Sequence, residues 1–238
     1  MRQEARSLKE TIQLSEREIK VLDYGYVALT DVMGDDRTPA RTARTSFRNK
    51  KERTPEEDSR LTDYLIRNHH NTPVEFCQAR FYMKMPIFVA RQLVRHRTAS
   101  INEVSYRYVT AAREFYVPAF DRMQKKAENN KQGSSVELVD DPVNCQLLIA
   151  AAGNAGFDAY EQLLAKGLAP ELARTVLPCG TYTEWYWQND LSNILKTLKL
   201  RLDPHAQYEI RVYAQAMLDL LRPVFPTIIN SWEKTNGK

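Results

Sequence analysis

Residues 75–85 read EFCQARFYMKM, and they alternate. Cys77, Ala79, Phe81 and Met83 point one way, and Gln78, Arg80, Tyr82 and Lys84 point the other. A period of two is that of a β-strand with one buried face, because successive side chains leave the pleat on opposite sides. Pro86 then opens a short apolar helix, Ile87 to Val94, which runs straight into a polar cluster.

Outward from that strand, residues 20–33 (KVLDYGYVALTDVM) are rich in β-formers and read as another strand, as do residues 112–118 (AREFYVP). Thr54-Pro55-Glu56-Glu57 supplies an N-cap with proline at the first helical position, so a helix is expected to about Asn68. Between Asp121 and Asp140 the composition turns polar, which predicts a mobile loop or lid. The rest is predicted helical: 142–166, 169–176, 189–200 and a last helix from about Pro204 to Leu221, with Asp203 as N-cap. No period repeats. Strands early and helices late give an α+β fold, an antiparallel sheet packed with a helical bundle, in one domain over 1–238.

Composition narrows the class. Hydrophobic residues make up 43% and charged residues 27%, which is ordinary for a soluble globular protein. Met1 to Lys20 is charged throughout and has no apolar core, so no secretory signal is expected. The richest apolar run, Leu147 to Phe157, is broken by glycine and asparagine and too short to span a bilayer. Three scattered cysteines without a CxxC pair fit a reducing, cytoplasmic setting. The four histidines form no cluster with ligand spacing, so no metal site is expected. A formal charge of +4 is modest, yet Arg37 to Arg53 holds seven basic residues against the single acid Glu52. That run is either a solvated surface or a place for phosphates, and the rival class is a basic nucleic-acid-binding protein without catalysis.

The chemistry concentrates in Arg91 to Tyr108, RQLVRHRTASINEVSYRY. Arg91, Arg95, Arg97 and Arg107 face only Glu103 in opposition, at the end of an apolar helix. Guanidinium groups gathered there need an anion, and arginine suits bidentate contact with phosphate. Ser100, Asn102, Glu103 and Ser105 add groups that orient a base or a sugar. The residues alone read as a nucleotide-phosphate site, with a solvated basic face as the alternative.

RHRTASINEVSYRY resembles the RHRxxSxNExSxRY signature of the flavin-dependent thymidylate synthases at every specified position. The resemblance extends through ARTSF, HNTPVE, MPIFVARQ, LARTVLP and LRLDPHAQYEIR. It implies reductive methylation of dUMP to dTMP with methylenetetrahydrofolate as carbon donor and NADPH or NADH as reductant through FAD. It also implies a homotetramer with sites shared between subunits, one catalytic domain per chain, and no nucleic-acid or membrane partner. For dUMP it implies Gln92, Arg95, Glu103, Ser105, Arg107, Arg174 and Arg201, with Arg174 and Arg107 as phosphate clamps. Arg201 is the implied catalytic group, a fixed cation against the uracil edge. For FAD it implies Ser46, His70, Thr72, Arg95, His96, Arg97 and Glu103, and from the later helix Asp190 and Lys196. Many relatives carry NAR where Asp190-Leu191-Ser192 stands here, and asparagine or histidine in place of Lys196. Cys179 in LPCGTY invites a nucleophile assignment, but apart from Arg174 nothing local would form its thiolate, so it reads as a buried structural cysteine. Tyr182, Trp185, Tyr186 and Trp187 read as core or interface aromatics.

Overall fold

The computed structural model describes residues 18–48, 53–128 and 133–236. The charged segment before residue 18 and part of the basic run, 49–52, lie outside the described residues. A five-stranded antiparallel sheet organises the rest, in the order β1 (Glu18–Val21), β2 (Gly25–Met33), β3 (Gln78–Pro86), β7 (Tyr182–Asp190), β4 (Ser100–Glu103).

β3 is the alternating stretch. Cys77, Ala79, Phe81 and Met83 are buried, while Gln78, Arg80, Tyr82 and Lys84 are half-buried on the opposite face. The expected strand at 20–33 is instead a hairpin, β1 and β2, turning at Leu22–Tyr24. β2 carries an extra residue between Leu29 and Asp31, and Thr30 there donates its hydroxyl to the carbonyl of Arg80 at 3.0 Å. Such a bulge bends a strand without ending its pairing.

β7 corrects the expectation that everything after residue 142 is helical. Tyr182–Asp190 pairs with β3 along its whole length and with β4 on its other side. Trp185 and Trp187 are buried with the core, whereas Tyr186 sits on the other face beside Tyr82, rings 4.8 Å apart. Aromatics thus occur on both faces, which hides the period of two that Glu184 and Gln188 keep.

The helices are α1 (Thr38–Ala43), α2 (Pro55–Arg67), α3 (Ile87–Leu93), α4 (Pro142–Ala165), α5 (Pro170–Ala173), α6 (Leu191–Arg201), α7 (Tyr208–Leu221) and α8 (Pro226–Thr235). The α2 signal holds: Thr54 and Glu57 form a reciprocal capping box with Pro55 at the first position. α3, α6 and α7 cover the buried face of the sheet, joined by α7 residues Ile210, Tyr213 and Met217 in one continuous core. α8, which lay outside the expected helices although Pro226 stands at its first position, packs on α2, and Asp36 accepts from the amides of Thr227 and Ile228 at 2.8 and 3.0 Å. Those amides are donors at a helix start that would otherwise lack partners.

Three further expectations change. α7 begins at Tyr208, because Asp203 accepts from the amide of His205 at 2.8 Å and closes a turn there rather than capping a helix. Residues 112–118 contribute only one isolated bridge, Phe115 to Thr181, so they form an extended support and not a strand. Within 121–140 lies a hairpin, β5 (Gln124–Lys126) with β6 (Ser134–Leu138). α4 packs on a smaller cluster around Phe157 and Tyr160, and Gly153 is required there because a Cβ would meet the Phe115 ring at 2.1 Å. Its uncharged first half leaves Leu147 and Leu148 63% and 61% exposed. Among the described residues no helix is long and apolar enough to cross a membrane.

Candidate active site

α3 divides the site. Its buried side, Val89 and Leu93, packs into the core. Ile87, Ala90, Arg91 and Val94, spaced i, i+3, i+4 and i+7, form a second face that lines a cleft of about 550 Å³. Across the cleft stand Glu103 and Ser105 from the end of β4 and the turn after it, Thr183 and Trp185 from β7, and Arg174 from the turn after α5. Glu103 is held in place by the Thr183 hydroxyl, which donates to its carboxylate at 2.6 Å. Ser105 accepts from the amide of Arg107 at 3.4 Å, and Arg107 itself lies 3.8 Å from Glu171 and over the Tyr108 ring. Arg174 donates to the carbonyl of Glu171 at 3.4 Å. The cleft therefore offers a carboxylate, a hydroxyl and two guanidinium groups over an apolar floor, the composition of a site for a charged, partly apolar ligand.

Arg91 is absent from the residues that the signature implies, though its i, i+3, i+4, i+7 spacing with Ile87, Ala90 and Val94 is there to be read. Gln92 and Arg201, by contrast, do not line this cleft. Gln92 donates to Gln207 at 2.5 Å. Arg201, at the end of α6, donates from Nη2 to the carbonyl of Gln92 at 2.8 Å and from Nε to His96 Nε2 at 3.1 Å. Burial, then the neighbouring Arg201 charge, holds the His96 pKa below the usual histidine range, and burial lowers that of Arg201. Arg95 and Arg97 are exposed on the turn that carries His96. The chain thus splits the residues expected for dUMP into two groups, Glu103, Ser105 and Arg174 in the cleft and Gln92 and Arg201 beyond it, where Arg201 meets His96, a residue expected for FAD.

A second cavity, about 570 Å³, gathers Ser46, His70 and Thr72 as expected, with Thr42, Arg44, Phe47, Tyr64 and Pro73. The His70 ring stacks on Tyr64, centroids 6.0 Å apart. Apolar walls with hydroxyls at the edges suit a flat ring with a polar rim. Lys196 lines a smaller cavity of about 150 Å³ with His69, Asn71, Ser192 and Lys199. Asp190 is committed to the backbone: its carboxylate accepts from the amide and the side chain of Asn193 at 2.9 and 2.6 Å and caps α6. Cys179 is not the buried cysteine expected: it lies in the turn closed by the Thr181 amide on the Pro178 carbonyl at 2.9 Å, where it is exposed and free. Among the described residues no group of three or more His, Cys, Asp or Glu could hold a metal.

Four arginines of the basic run are paired. Arg37 and Arg44 both meet Asp58, Arg41 meets Asp35 at 3.0 Å, and Arg53 meets Glu57 at 3.1 Å.

The family described as Thymidylate synthase complementing protein (Thy1) matches residues 28–227. The chain is 43% identical over 233 residues to the flavin-dependent thymidylate synthase of Wolbachia pipientis wMel, covering 94% of this chain and 79% of that protein. It is 45% identical over 216 residues to the flavin-dependent thymidylate synthase of Thermus thermophilus, covering 91% and 78%. Among solved structures it is similar to the UMP/dUMP methylase PolB from Streptomyces cacaoi bound with 5-Br dUMP. That match has a TM-score of 0.81 at 29% identity and covers 91% of this chain and 97% of that one. With the signature, the divided arginine site and the shared fold together, the chain belongs to the Thy1 family, the flavin-dependent thymidylate synthases.

Proposed function

We propose that the protein converts dUMP to dTMP, taking the one-carbon unit from methylenetetrahydrofolate and reducing equivalents from NADPH or NADH through FAD. The observation that supports this best is the cleft under α3, where Glu103, Ser105 and Arg174 meet in one concave site. Arg174, with Arg107 beside it, suits the phosphate dianion, which needs more than one positive partner. Ser105 and the fixed carboxylate of Glu103 suit the sugar and base. Arg91 adds positive charge at the same wall.

The donor set of the second cavity fits a flavin: hydroxyls of Ser46 and Thr72 for the polar rim, and His70 and Tyr64 for the ring. Lys196 and Lys199 stand ready for further phosphate charge. Bound FAD supplies hydride chemistry that no side chain can. The protein contributes orientation and charge. Arg201 is the group to face the uracil carbonyl edge, where a fixed cation favours the charge that develops as C5 becomes nucleophilic.

The division of the nucleotide residues supports a site completed by a second copy, within a homotetramer. Exposed Val143, Leu147 and Leu148 on α4 fit such an assembly, since an apolar helix face of this size seeks a partner. The pairing of Arg37, Arg41, Arg44 and Arg53 with carboxylates speaks against a nucleic-acid reader, which needs its cations unpaired.

The purified protein is expected to show the visible absorption of bound flavin and to form dTMP only when dUMP, methylenetetrahydrofolate and a reduced nicotinamide are all present. A colourless protein that binds no FAD on addition, or turnover unchanged without the folate, would overturn this reading.

A further inference from the structure

The Arg201 guanidinium is held from one side by a short stretch of chain. Nη2 donates to the carbonyl of Gln92 and Nε to His96 Nε2. Both acceptors lie on the turn that ends α3, fixed by Val94 to Ala90 and His96 to Leu93 backbone bonds of 2.9 and 3.1 Å. Two bonds from two nitrogens set both the tilt and the rotation of the planar group. Nη1 has no partner among the described residues, so it is the edge left to meet a ligand.

The chemistry of the second bond is one-sided. Arginine offers only donors, so His96 Nε2 must present a lone pair and the ring proton must sit on Nδ1. The contact exists only with a neutral His96 in that one tautomer. A proton added at Nε2 fills the accepting lone pair and sets two cations 3.1 Å apart.

We propose that His96 is the positioning residue for Arg201: its neutral imidazole, accepting from Nε, aims Nη1 at the substrate, and protonation releases the guanidinium. This rests on the reading that Arg201 activates the uracil. The charged groups around the ring are Arg201, from α6, and Arg95 and Arg97, which flank it in the chain; α3 contributes only the uncharged Gln92. Burial, then the Arg201 charge, depresses the His96 pKa. The contact is therefore fully present above about pH 6.5, the usual histidine value, and is lost as pH falls through the depressed one.

The test joins a spectroscopic and a kinetic readout. With only four histidines, ring-15N labelling can resolve His96. The native protein is expected to show His96 neutral, protonated on Nδ1, with a midpoint below about 6.5, the usual value, and Arg201→Ala should move that midpoint up toward it. Turnover to dTMP, measured per bound flavin, should have an acid limb in the native enzyme. His96→Gln keeps an acceptor but cannot titrate, so its limb should vanish. His96→Ala should lower kcat by about tenfold or more, with a smaller change in KM for dUMP, and His96→Gln should restore part of that loss. A native His96 that is protonated on Nε2 at neutral pH, or an acid limb that persists in His96→Gln, overturns the proposal while leaving the role of Arg201 intact. If Arg201→Ala keeps full dTMP turnover, the reading of Arg201 falls instead, whatever the tautomer.

Discussion

Arg201→Ala and Arg201→Lys are each expected to lower dTMP formation by on the order of a hundredfold, the scale of losing one preorganised electrostatic contact. Both should fold and bind FAD, because Arg201 sits at the last turn of α6 and its partners are Gln92 and His96, not the core. The lysine variant keeps the charge but has one nitrogen, so it cannot satisfy the Gln92 carbonyl and His96 together while also facing a ligand. It therefore separates geometry from charge. Reduction of the flavin by NADPH should suffer much less, since that half-reaction needs no activated uracil. Stopped-flow flavin reduction beside dTMP turnover makes the comparison. Loss of both half-reactions together, or of neither, would remove Arg201 from the chemistry.

The largest expected effect on stability is at Asp58. Its carboxylate is 1% exposed and takes hydrogen bonds from both Arg37 and Arg44, tying the loop after β2 to α2. Burial alone would raise its pKa, but the hydrogen bonds from Arg44 and Arg37 outweigh burial and hold it below the usual carboxylate range. Asp58→Asn leaves Arg44, 15% exposed, without a counter-charge. Removing one partner of a buried pair costs about 3 kcal/mol or more. Because Arg37 is 34% exposed and water screens it, the lower end is expected. Urea unfolding at neutral pH measures the difference. Since the folded state favours the ionised carboxylate, the native protein's advantage over Asp58→Asn should persist above about pH 4 and shrink as pH falls through the depressed value. A difference under about 1 kcal/mol at neutral pH would mark the pair as an ordinary surface contact.

How much of this was legible depended on whether a local pattern carried the information. The β3 period was visible because its two faces differ in polarity, and the α2 cap because Thr54, Pro55 and Glu57 each act within one turn. β7 was hidden because Trp185, Tyr186 and Trp187 put large apolar rings on both faces of a central strand. Asp203-Pro204 looked like a helix start, but the aspartate accepts from the amide of His205, and the turn closes before α7 begins. The arginine signature pointed to a few residues, of which Glu103 and Ser105 line one cleft with Arg174. It did not reveal that one chain keeps Arg201 and Gln92 apart from Glu103, Ser105 and Arg174, since that separation follows from which side of α3 each group meets. The resemblance implied FAD contact for Asp190, whereas its carboxylate caps α6 through Asn193, a local role.

On the proposed assembly, one working site takes its nucleotide cleft from one subunit and its Arg201 group from another. Two inactive variants can test it. Arg201→Ala spoils the activating group and Arg174→Ala the cleft. The two proteins should be mixed, dissociated and reassembled, then assayed for dTMP formation per bound flavin. If sites are shared, some reassembled sites combine an intact cleft from one variant with an intact Arg201 from the other. Random pairing predicts recovery of about a quarter of native turnover. If each site is built within one chain, every site keeps one defect, and mixtures no more active than the two separate variants would contradict the sharing of sites between subunits.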